Sequence, residues 1–214
     1  MFQLKNPIWW RRFLVMIFGV SIMGMGVVLF KLSLMGNDPH SAMVMAIGNC
    51  INLSFSSMLI IINSIWFILE IFLNRKLIGI GTFFNWFCVG IFADMWANIL
   101  DNFLTTPDNM ISRFILMFTG VIILSFSAAL YQTANLGIAP YDAISLIMDE
   151  HFPLPYFWCR IIPDSACAAV TFLFGGIVGL GTLFCALGLG PFINFFTKTV
   201  ARKLCGYEKT VTVP

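Results

Sequence analysis

Four apolar runs constrain this chain more than any other feature: residues 13–34, 55–73, 78–100 and 114–134 are each about twenty residues long and sparsely charged. A helix rising about 1.5 Å per residue needs that length to cross a hydrocarbon core of roughly 30 Å. Two less uniform runs follow, at about 156–176, where Arg160, Pro163 and Asp164 interrupt, and at about 178–200. The pattern predicts an all-α polytopic membrane protein with six transmembrane helices in a single membrane domain, 1–214. Composition agrees, because 59% hydrophobic and 10% charged residues, with a mean hydropathy of +0.92, supply more apolar surface than one core can hide. Lipid is the partner that covers the excess. The first run follows Arg11 and Arg12 as a secretory signal would, but it has no small-x-small site before Asn37-Asp38. It reads as a retained helix with Trp9 and Trp10 at headgroup level.

The distribution of basic residues orients the chain. With six spans, one face receives Lys5, Arg11, Arg12, Arg75, Lys76, Lys198, Arg202, Lys203 and Lys209, and the other receives Arg113. Lys31 and Arg160 fall at span ends and are expected to snorkel to headgroups. Both termini are therefore expected in the cytoplasm. A formal net charge of +2 gives no reason to infer a nucleic-acid partner. Cys50, Cys88, Cys159, Cys167, Cys185 and Cys205 show no metal-ligand spacing, and His40 and His151 are the only imidazoles. Neither a nucleophile elbow, a zinc-protease helix nor a phosphate-binding loop is present, so no enzymatic activity, metal or cofactor is expected.

The chain also repeats itself. Residues 12–47 align without gaps on 113–148 at an offset of 101, with ten identities in thirty-six pairs, among them Arg12/Arg113, Gly19/Gly120, Gly36/Gly137 and Pro39/Pro140. A second block, 78–94 on 178–194, pairs Gly79/Gly179, Gly81/Gly181, Thr82/Thr182 and Gly90/Gly190. Two repeats result, about 12–100 and about 113–200. Each holds three spans, an odd number, so the second is expected to enter the bilayer inverted. Between the first two spans of each repeat lie 36–53 and 137–154, where Gly ends one helix and Pro three residues on starts another. Two placements suit these short helices. They lie in the headgroup interface with their Met, Ala and Ile on one side, the reading preferred here, or they re-enter the membrane with their positive N-termini at a cavity. In the second case Gly36 and Gly137 are where a ligand approaches the main chain.

The segment R-F-x-x-x-x-x-G…L-G-x-x-P-x-D-A at 113–143, its weaker copy at 12–42, and G-x-G-T…G-x-F-x-D at 79–94 together resemble the YczE/YitT-type family of bacterial multi-pass membrane proteins. The likeness runs from about Arg11 to Lys203. It departs at Pro-His-Ser-Ala in the first repeat and at Tyr141. The resemblance implies an inner-membrane location and says little about activity.

Polar side chains where lipid is expected supply the candidate site, since a charge at mid-bilayer costs at least about 2.5–3.5 kcal/mol. Asp164 lies about nine residues, roughly 13 Å, into the fifth span. Its repeat counterpart is Asn63, and the two are expected to meet near the pseudo-axis. Arg160, at i−4, is placed to pair with Asp164, either to fix packing or to serve a ligand. Asp94, matched by Asn194, either packs against glycines or lines a vestibule. Glu70 is read as interfacial beside Arg75 and Lys76. The glycines, Gly188 and Gly190 included, are read as helix-packing positions. The resulting expectation is a transporter or permease for a small solute, with Asp164, Arg160, Asn63, Asp94, Gly36 and Gly137 at its site. The alternative is a non-transporting scaffold or accessory protein; the oligomeric state is left open.

Overall fold

The computed structural model describes residues 7–104 and 107–207, and Lys5 and Lys209 lie outside them. The described residues are helical almost throughout: α1 (Pro7–Ser33), α2 (Pro39–Cys50), α3 (Phe55–Leu73), α4 (Ile80–Leu100), α5 (Met110–Ala134), α6 (Pro140–His151), α7 (Tyr156–Leu173) and α8 (Leu180–Phe196). A π-turn, Thr197–Ala201, carries α8 on into Arg202–Leu204. Five helices are long and apolar enough to cross a membrane, namely α1, α3, α4, α5 and α8 with its extension. The expected fifth span, α7, falls outside that set, because Arg160, Pro163 and Asp164 sit within its 18 residues.

α1 and α5 form the centre. Gly19 lies against Leu130 and Ser127, Gly26 against Leu124, and Gly120 against the Phe30 ring, so ascending α1 meets descending α5 and the two are antiparallel. An added Cβ on Gly120 would stand 2.8 Å from that ring. Small residues let the backbones approach this closely, which matters in lipid where dispersion must drive association. α4 runs beside α1, with Phe13 on Phe84, Gly24 on Phe92 and Ala93, and Trp96 Nε1 donating to the Ser21 carbonyl at 3.0 Å. α8 lies beside α5 in the same manner, through Phe118–Phe192 and Phe126–Phe196.

The two halves clasp each other. α1 ends with Leu34 at φ 55° and Gly36 at φ 97°, and α5 ends with Asn135 at φ 53° and Gly137 at φ 122°. These left-handed turns aim each chain end at the other half. Gly81 N–H donates to the Leu136 carbonyl at 2.7 Å, and Gly181 N–H to that of Met35 at 2.8 Å. Gly79 and Gly179 donate in turn to the hydroxyls of Thr82 and Thr182, at 3.1 and 3.5 Å. Four orphan donors at the two helix starts are satisfied in this way.

Three expectations need correction. The short helices do not lie on a surface: α2 buries eight of its twelve residues and packs mainly on α7 of the other half, while α6 packs on α3. Their apolar periodicity looks the same whether the covering layer is lipid or protein. Gly175, Gly188 and Gly190 are not packing positions, since an added Cβ at any of them meets nothing within 4 Å. Glu70 is fully buried, and neither carboxylate oxygen has a hydrogen-bond partner among the described residues, while Arg75 turns back to the Ile71 carbonyl.

Candidate solute site at two opposed helix ends

The N-termini of α2 and α6 meet inside the fold. Pro39 and Pro140 each occupy the first turn, where a missing N–H is harmless. The residues that follow them, His40 and Tyr141, stack ring on ring at 4.3 Å and 16°. They are equivalent positions in the two repeats. Each helix start is supplied with a carboxylate: Asp38 caps α2 by accepting from Ser41 N–H at 3.0 Å, and Asp142 stands in the first turn of α6. Anionic groups there complement the partial positive charge of a helix N-terminus.

α7 brings the countercharge. Arg160 Nη1 donates to Asp142 Oδ1 at 2.6 Å, and its Nε lies 3.5 Å from Asp164 Oδ2. The Tyr131 hydroxyl from α5 donates to the other oxygen of Asp142. Tyr141 donates to Asp164 Oδ1 at 2.5 Å. One guanidinium and two phenols thus hold two carboxylates contributed by α6 and α7, and charge-assisted bonds of this kind are the strong ones.

A cavity of about 440 Å³ opens onto this cluster, walled by Asp38, His40, Asn63, Tyr141, Asp142 and Arg160. Asp164 stands behind Arg160 and Tyr141. A second cavity, of about 630 Å³, is walled by Lys31, Gly36, Asn37, Asn49 and Asp94 among others. The two share Val27 and adjoin at Asn37 and Asp38; the smaller sits at the middle of the α1–α5 pair and the larger toward the end of α1.

The expected residues are partly united. Arg160 and Asp164 are paired as anticipated, and Arg160 also bonds Asp142. Asn63 lines the same cavity but does not bond Asp164, whose Oδ1 is taken by Tyr141; Asn63 Oδ1 has no partner among the described residues. Asp94 and Gly36 belong to the other cavity. Gly137 approaches main chain, as anticipated for a ligand, but that of Gly79: an added Cβ would stand 2.7 Å from Gly79 N and Cα. Gly36 abuts Thr182 and Gly179 in the same way. Sequence reasoning passed over Asp38, His40, Tyr131, Tyr141 and Asp142 as site members. The signal for His40 and Tyr141 was their shared place after equivalent prolines. Among the described residues no group of His, Cys, Asp and Glu is arranged to hold a metal ion.

Long apolar helices around two buried, opposed half-length helices define a class, the polytopic α-helical membrane proteins. Within it, the chain belongs to the family of unknown function DUF6198, which matches residues 10–198, and it is of the YczE type. It is 30% identical to an uncharacterized protein of Haemophilus influenzae over 88% of this chain and 84% of that one. It is 25% identical to the uncharacterized protein YyaS of Bacillus subtilis, over 86% and 91% of the two chains. A third relative is the uncharacterized membrane protein YczE of Bacillus subtilis, at 23% over 90% and 85%. No solved structure matches.

Proposed function

We propose that this protein is a small-solute transporter or permease of the bacterial inner membrane, built as two inverted three-span repeats with α7 as the sixth span. The observation that carries the reading is the junction of α2 and α6, where opposed helix ends, a partly buried Arg160–Asp142–Asp164 cluster and a cavity coincide. Inverted repeats that meet at discontinuous helices are a transporter architecture. The antiparallel α1–α5 pair, the reciprocal Gly81 and Gly181 bonds and the two adjoining cavities support it. Irregular main chain at membrane depth is tolerated only where protein or a cavity surrounds it, as at 34–38 and 135–139. α2 and α6 are then re-entrant, and a solute passes between the cavities by rearrangement around the helix-end junction. The carboxylates offer a route for proton coupling.

Proteoliposomes with a trapped pH dye test this. A panel of amines, amino acids, sugars and carboxylates is added outside, and at least one class is expected to drive proton movement that Asp142→Asn and Asp164→Asn abolish. Absence of a response to every class, with partners copurifying instead, would favour an accessory role. The topology has its own check. Reporter fusions are expected to place both ends in the cytoplasm, and ends on opposite sides would remove the inverted repeat.

A further inference from the structure

Helix N-termini facing a cavity ordinarily make an anion site. Here the chain has already supplied the anions. Asp38 caps α2, and Asp142 occupies the first turn of α6, with Asp164 behind it. With all three carboxylates ionised, two helix ends at about half a positive charge each plus one guanidinium offset only two of them, and roughly one negative charge is left for a bound cation to neutralise. Arg160 is fully engaged between Asp142 and Asp164.

The cavity wall adds an independent observation. His40 is 8% and Asn63 3% exposed, and both line the cavity. His40 Nε2 and Asn63 Oδ1 have no hydrogen-bond partner among the described residues. A buried polar atom left unpaired costs about 1–3 kcal/mol, which is the recovery a bound group obtains by pairing it. Asn63 Oδ1 and the Asp38 carboxylate only accept, and an imidazole nitrogen takes either role. An N–H-rich occupant matches all three in kind. Bare monovalent metal ions do not fill about 440 Å³, whereas a small organic molecule does.

We infer that the central cavity binds a small organic monocation, an alkylammonium or guanidinium compound, with Asp38, His40 and Asn63 as its acceptors. This rests on the transport reading for its physiological sense, but binding is measured without transport. The wall then works as Arg160 itself is held, by acceptors converging on a positively charged nitrogen. Rejection of carboxylates follows from the surplus charge.

Thermal unfolding of the purified full-length protein in detergent, at constant ionic strength, reads the site. n-Butylammonium and methylguanidinium are expected to raise the midpoint with rising concentration, and n-butanol, butyrate and sodium chloride to leave it unmoved. Asp38→Asn is expected to weaken the dependence at least tenfold. Should that variant fail to fold, Asn63→Leu and His40→Phe remove acceptors without stranding a charge, and the shift is expected to weaken in both. A midpoint raised by butyrate, raised equally by butanol, unmoved by either cation, or raised by them equally in all variants overturns the inference. Cation binding without flux in the liposome assay keeps this site and removes the transport reading. Flux driven by carboxylates alone does the reverse.

Discussion

Arg160→Leu is expected to cost the fold about 1–3 kcal/mol, the range for leaving a hydrogen-bonded polar group unpaired, since the Arg160 and Asp142 side chains are partly buried and Asp164 is buried. The guanidinium is the one cation bonded to Asp142 and Asp164, and the leucine variant leaves both carboxylates facing each other across Tyr131 and Tyr141. Little monodisperse protein should survive extraction into detergent, and the thermal midpoint of what does should fall by many degrees. Arg160→Lys is expected to recover only part of the loss, since a point-charge ammonium does not reach two carboxylates through separate N–H groups as the planar fork does. The triple variant Arg160→Leu, Asp142→Asn, Asp164→Asn should recover most of it, because well-packed neutral groups often match a buried ion pair. Equal instability of the single and triple variants would show that Arg160 acts through its packing and not its charge.

An equally large effect is expected at two glycines outside the charged cluster. A Cβ on Gly79 would stand 2.2 Å from the Leu136 carbonyl oxygen, and one on Gly179 would stand 2.4 Å from that of Met35. The obstruction is backbone in both cases, so no rotamer change relieves it. Gly79→Ala and Gly179→Ala should each force the clasp apart, breaking the Gly81–Leu136 or Gly181–Met35 bond, and each should abolish recovery of folded protein by size-exclusion chromatography. Gly188→Ala is the control. Nothing lies within 4 Å of its added Cβ, and helix propensity favours alanine over glycine by about 1 kcal/mol, so stability should hold or rise. Wild-type behaviour of Gly79→Ala would mean the clasp is dispensable.

The contrast between those glycines shows what was legible in the sequence. Gly79, Gly81, Gly179 and Gly181 stood out by repetition, and the structure gives each a close backbone neighbour. Gly190 repeats Gly90 as well, yet Gly90 meets Ser56 while Gly190, like Gly188, meets nothing among the described residues; what a helix face meets is decided by the neighbouring helix, which composition does not reveal. Spans were readable wherever twenty apolar residues ran together. α7 was readable as a run at about 156–176, but the partners of its charges were not, because Asp142 and Tyr141 stand on α6. The Arg160–Asp164 pair followed from i,i+4 spacing alone. Asp142 escaped notice because its partner lies eighteen residues on, in another helix. Glu70 was misjudged for a related reason: nearness to Arg75 and Lys76 in sequence suggested a charged surface, while the fold turns that face of α3 inward.

The crossed backbone bonds at Leu136 and Met35 also bear on how such a chain is assembled. The start of α4 takes its acceptor from a residue more than fifty positions downstream, and the turn after α1 waits still longer for α8. A nascent polypeptide halted before residue 136 lacks the carbonyl to which Gly81 N–H donates, so the start of α4 is left unpaired. Insertion of the early helices is therefore provisional, and the final closure falls late in synthesis, when Gly181 arrives to complete what α1 began.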